Sequence, residues 1–100
     1  MRIAIASEGK DLNSEISTAA ARAPYFLIYE DKKLVESMKN PFAIGGGGAG
    51  WSVAHIMAQK EVELFIAGKL GENLETALNG KNIKFREDSG KKVSDILDEL

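Results

Sequence analysis

The chain has 100 residues, 44% of them apolar, a formal net charge of −2 and no cysteine. This is the length of one domain, residues 1–100, with enough apolar content for an ordinary packed core. The composition excludes disulfides, Cys-ligated zinc and thiol nucleophiles. The interspersed charges form no basic stripe, which argues against nucleic-acid binding, and no apolar run approaches the ~20 residues of a membrane span.

Met1 leads directly into Arg2-Ile3-Ala4-Ile5-Ala6 without a signal-peptide pattern, so a cytoplasmic protein is expected. Arg2–Ser7 is rich in Ile and Ala and predicts a buried first strand, followed by a turn at Glu8–Asp11. Leu12–Ala23 is a long connection in which Asn13, Ser14, Ser17 and Thr18 favour local side-chain bonds to backbone. Its alanines, within Thr18–Arg22, predict a short helical turn that Pro24 terminates. Tyr25–Glu30 is aromatic and β-branched, a second strand. After the polar turn Asp31-Lys32-Lys33, Leu34–Lys39 alternates, with Leu34, Glu36 and Met38 opposed to Val35 and Ser37. It predicts a half-exposed hairpin partner at the sheet edge, where lysines discourage further strand addition.

Asn40-Pro41 closes the hairpin and leads to the stretch that dominates the chain, Gly45–Gln59. Here a glycine run opens into a helix, Ala49–Lys60, that is apolar around much of its circumference and should be largely covered. Val62–Ala67 predicts a strand parallel to the first, reached by a crossover. Glu72–Leu78 predicts a helix with acids in its first turn, stopped by a left-handed cap at Asn79-Gly80. Asn82–Arg86 predicts a last strand, and Ser89 a cap for a final helix over Lys91–Leu100. The order βββαβαβα implies an α/β fold: a three-layer, five-stranded mixed sheet with helices on both faces, in a ribonuclease H-like arrangement.

The residues also resemble a known family. Against a family pattern that often reads Ser-Pro-His-Phe-Gly-Arg-Ala-Pro-Tyr-Phe, the chain keeps Ser17, Arg22, Ala23, Pro24, Tyr25 and Phe26. Arg2–Ser7, the turn Gly48-Ala49-Gly50, and Ile66-Ala67-Gly68 with Gly71 and Asn73 match further. The chain thereby resembles the dinitrogenase iron–molybdenum cofactor biosynthesis family, small domains related to the nitrogenase cofactor carriers. The resemblance implies the same mixed-sheet fold and an iron–sulfur or iron–molybdenum cluster as the bound group. Thr18, Ala19, Ala20 and Ala21 depart from the pattern, and Ala19 stands where a histidine often lies.

Several chemistries fail on the residues themselves. The first strand carries no Asp, so two-metal nuclease chemistry has no carboxylate cluster to build on. Gly45, Gly47 and Gly50 satisfy a dinucleotide spacing, but a run of glycines does so almost inevitably, and no initial βαβ unit surrounds them. No nucleophile–base pair can be assembled, so the chain is expected not to be an enzyme. His55 is the only histidine and the one candidate metal ligand; a lone helical histidine more often packs or faces solvent, because metal sites need convergent ligands. Arg22 suits either an anion at the helix start or a structural salt bridge to Glu8 or Asp11, and Trp51 either shields a ligand or packs. The candidate binding surface is lined by Ser7, Ser17, Arg22, Gly48, Gly50, Gly68 and Asn73, from loops at the carboxyl ends of strands and from the glycine-rich helix start, where amides and the helix dipole favour an anion. The expected function is a non-enzymatic carrier or binding module for a metal cluster or small anion; the alternative is a protein-interaction domain with no cofactor.

Overall fold

Two adjacent strands place alternate residues on opposite faces of one sheet, and in the first of them the sorting is by size. The first strand, β1 (Arg2–Ser7), sends Ala4 and Ala6 into one buried cluster and Ile3 and Ile5 into another. The second, β2 (Tyr25–Glu30), divides into Phe26 and Ile28 against Leu27 and Tyr29. This is the period-two alternation of a strand buried on both faces.

The structure is a computed structural model and describes residues 1–45 and 47–100. Beyond β1 and β2 it contains β3 (Lys33–Lys39), α1 (Ala49–Gln59), β4 (Leu64–Ala67), α2 (Glu72–Gly80), β5 (Lys84–Glu87) and α3 (Val93–Glu99), with one 3-10 turn at Ala20–Arg22. The strand order is β3-β2-β1-β4-β5. β1 pairs antiparallel with β2 and β2 with β3, while β1 pairs parallel with β4 and β4 with β5. This is the five-stranded mixed sheet expected from the order of elements. On the face carrying Ala4, Ala6 and Ala67, the buried residues of α1 and α2, among them Val53, Met57, Leu74 and Leu78, complete the first core cluster. On the other face, Val93, Ile96 and Leu97 of α3 cover Ile3, Ile5 and Ile66.

Four local expectations are corrected. The left-handed residue after α2 is Asn82 (φ 60°), while Gly80 is still helical. The last strand is displaced to Lys84–Glu87, because the bend around Asn82 and the burial of Ile83 precede it. Ser89 does not cap α3; the cap is Lys92, whose N–H donates to the Asp95 carboxylate at 2.9 Å. The regular alternation of the edge strand breaks as well. Ile28 pairs with Glu36, but Tyr29 pairs with Leu34, so Val35 is an extra residue in β3. Such a bulge reverses the facing of what lies beyond it. Leu34 therefore shares a face with Tyr29, while Met38 packs on the α1 side.

Candidate functional site

The loops expected to form a site do meet at one end of the molecule. Ser17 is the hinge between them: its N–H donates to the Ala6 carbonyl at 2.8 Å, and its own carbonyl accepts from Gly68 N–H at 2.8 Å. The segment thus lies across the carboxyl ends of β1 and β4. Gly68 is required there by close approach, since a Cβ at that position would stand 2.9 Å from Thr18 Cγ2 and 3.1 Å from the Ser17 carbonyl oxygen. Ser7 and Ser17 are fully buried and their hydroxyls serve the loop. Ser7 Oγ donates to the Gly9 carbonyl at 2.7 Å, and Ser17 Oγ accepts from Ala19 N–H at 3.1 Å. These two serines frame the site rather than line it.

Arg22 leaves the 3-10 turn toward the glycine run. Its Nη1 donates to the Phe42 carbonyl at 2.8 Å and lies 3.9 Å from where a Cβ on Gly45 would stand. The residue that locks this arrangement is one that sequence reasoning took for a simple turn. Asn40 is buried, donates from Nδ2 to the carbonyls of Ala21 and Ala23 at 2.8 Å, and accepts from Phe42 N–H at 2.9 Å. A buried amide side chain must find such partners, and an Asn directly before Pro41, where β3 ends, was the available signal.

Gly46 lies outside the described residues. Gly48 is the N-cap of α1 at φ +86°, a conformation that a Cβ disfavours. Gly47 and Gly48 are exposed, so the helix start is open. No side chain caps it, and among the described residues the N–H groups of Ala49, Gly50 and Trp51 have no protein acceptor. These are the orphan amides of a helix N-terminus, at the positive end of its dipole. Gly50 sits directly on the start of α2, where a Cβ would come within 3.0 Å of Leu74 N and 3.4 Å of the Asn73 carbonyl carbon. Asn73 itself is exposed in the first turn of α2. Gly50 and Asn73 thus meet where α1 packs on α2, next to the Gly48 cap, while Arg22 lies at the start of the glycine run, beside Phe42 and Gly45. Trp51, His55 and Gln59 form the one exposed stripe of an otherwise largely covered α1.

Residues 1–100 match the family model described as dinitrogenase iron–molybdenum cofactor. The chain belongs to the dinitrogenase iron–molybdenum cofactor family. It is 35% identical to a candidate NifB protein from Thermotoga, with a TM-score of 0.82 over 97% of this chain and 84% of that one. It is 25% identical to the orange protein from Desulfovibrio gigas, solved in its apo form, with a TM-score of 0.89 over 98% of this chain and 84% of that one. Among curated proteins no sequence matches it. For this member of the iron–molybdenum cofactor family, the donor set decides how a cluster could be held. There is one histidine and no cysteine, and among the described residues no group of three His, Cys, Asp or Glu side chains converges. That does not fit a cluster ligated by protein side chains. N–H donors at a helix start, with a guanidinium on the loop leading into it, fit an anion held by charge and hydrogen bonds. No helix among the described residues is long and apolar enough to cross a membrane.

Proposed function

We propose that the chain is a non-enzymatic carrier domain of the cytoplasm, which takes up an anionic metal cluster as cargo at the α1 rim. Ala49, Gly50 and Trp51 would supply amide donors and Arg22 positive charge, with Gly48 giving the backbone access and Asn73 a neutral amide. The observation that carries this reading is the open helix start, whose three amides have no acceptor among the described residues, in a chain that matches the family over residues 1–100. An iron–molybdenum cluster, or an iron–sulfur cluster, is the cargo favoured by the family. His55 is exposed one helical turn beyond Trp51 and would add at most one ligand from the same helix.

Gly47→Asp tests it. A Cβ at Gly47 meets nothing within 4 Å, so the substitution adds a carboxylate at the rim without a clash. After anaerobic incubation with iron and sulfide, native mass spectrometry of the unaltered chain is expected to show bound iron and sulfide, and that of Gly47→Asp the bare chain. Bare protein in both samples, or equal loading in both, removes the reading.

The second reading, an interaction domain without cofactor, is favoured by two apolar side chains at the same rim, Ile44 (92% exposed) and Trp51 (54% exposed). Ile44→Ser together with Trp51→Ser would then abolish partner capture from a host extract, and the unaltered chain would take up no iron or sulfide.

A further inference from the structure

The face of the sheet away from the glycine run holds a cavity of about 620 Å³ lined by Tyr29, Leu34, Leu97, Leu12, Lys10 and Lys32, together with Asp11 and Asn13. We propose that it is a second binding site, for a small carboxylate with an apolar chain or ring. It is independent of the carrier reading, since it is built from other elements on the opposite face.

The cavity follows from the bulge at Val35. Without the extra residue Leu34 would face the other way; with it, Leu34 stands beside Tyr29 on the α3 side. α3 covers Ile3, Ile5 and Ile66 and reaches the cavity only with Leu97. The other wall is the loop after β1, fixed by the Leu12 carbonyl, which accepts from Ser94 N–H at 3.0 Å. Leu12 and Leu34 remain half exposed, at 50% and 49%. The volume lies in the ~300–1,000 Å³ range of small-molecule sites, and the pattern of an apolar lining with a few polar groups is theirs too.

The polar groups define the ligand. Tyr29 is only 4% exposed, yet its hydroxyl has no partner among the described residues and is not sealed from solvent. The cavity it lines is the space left for it. Burial raises the Tyr29 pKa, which keeps the phenol protonated as a donor. A buried phenol usually finds a partner; here the partner is left for a ligand to provide. Lys10 and Lys32 line the same space and, among the described residues, neither is paired with a carboxylate. Lys10 Nζ is held 5.6 Å from the centre of the Tyr25 ring. The one acid, Asp11, spends Oδ1 on Asn13 N–H and Ser14 Oγ, both at 3.1 Å. Two ammonium groups and a phenolic donor above leucine walls suit a carboxylate head on an apolar body.

Octanoate and octanol are the probes, titrated into the full chain and followed by NMR. Octanoate is expected to give saturating shifts at the methyls of Leu12, Leu34 and Leu97, with at least tenfold weaker binding of octanol. Tyr29→Phe removes only the hydroxyl and should weaken octanoate about three- to tenfold. Lys32→Gly removes a charge at a position of φ 68°, which glycine adopts more easily than lysine, so octanoate should weaken while the fold gains stability. Shifts that do not saturate, octanol binding as well as octanoate, or affinity unchanged in both variants overturns the proposal.

Discussion

The two faces of the sheet are cut from alternate residues of the same strands, but they are closed differently. On one face, small residues at Ala4, Ala6 and Ala67 let two helices settle closely, with the Phe26 and Phe65 rings tilted against each other at 5.7 Å between centres. On the other, branched residues at Ile3, Ile5 and Ile66 stand under a single helix of seven residues, and the part under the hairpin stays open. A helix as short as α3 has little stability of its own. It is held by its apolar stripe and by an ion cluster in which Arg86 and Lys91 both reach Glu99 at 2.6 Å. The comparison teaches that the well-covered face secures the fold, while the thinly covered one leaves room for a ligand.

The strongest way to break the contrast is Phe65→Ala, which empties the centre of the two-helix face. It should cost about 3–5 kcal/mol in urea unfolding and loosen both faces together. Ile96→Ala on the thin face should cost about 2–4 kcal/mol. Hydrogen exchange should then show α3 opening before α1 and α2, and equal opening of all three would erase the distinction. Gly68→Ala forces a methyl against Thr18 and the Ser17 carbonyl, with an expected loss of about 1–3 kcal/mol and displacement of the Ser17 loop, visible as amide shifts at Ser17 and Thr18. The smallest effect is a pH dependence on the α3 side. Arg86, donating from Nε to Asp88 at 3.0 Å, lowers the Asp88 pKa, with Lys91 adding to it. A carboxylate depressed in the folded state stabilises above its unfolded pKa, near 3.8, and that contribution is lost as pH falls through the lower folded value. Asp88→Asn should therefore flatten the decline in urea midpoint between pH 5 and pH 2.

Much of this was legible in the chain, for identifiable reasons. Tyr25–Glu30 and Arg2–Ser7 were read to the residue, because β-branched, aromatic and apolar runs bounded by turn residues leave little choice. The glycine run gave the open start of α1, because Gly48 needs a conformation other residues avoid. The bulge at Val35 was hidden, because a single inserted residue leaves the local alternation of Leu34–Met38 intact and shows only in the pairing with β2. The Asn40 clamp was hidden for a related reason: its partners, Ala21 and Ala23, offer only backbone carbonyls, which carry no mark in a sequence. Ser89 looked like the cap of α3, yet Asp95 closes that helix start from inside.

The position of Ser17 has a consequence for traffic. In open α/β sheets the cleft beyond the strand ends is the usual berth for a ligand. Here the chain's own backbone, bonded to Ala6 on one side and Gly68 on the other, fills that berth. On the proposed carrier function, cargo at this end would sit outside that filled berth, on a shallow ledge open to a receiving protein without a gate.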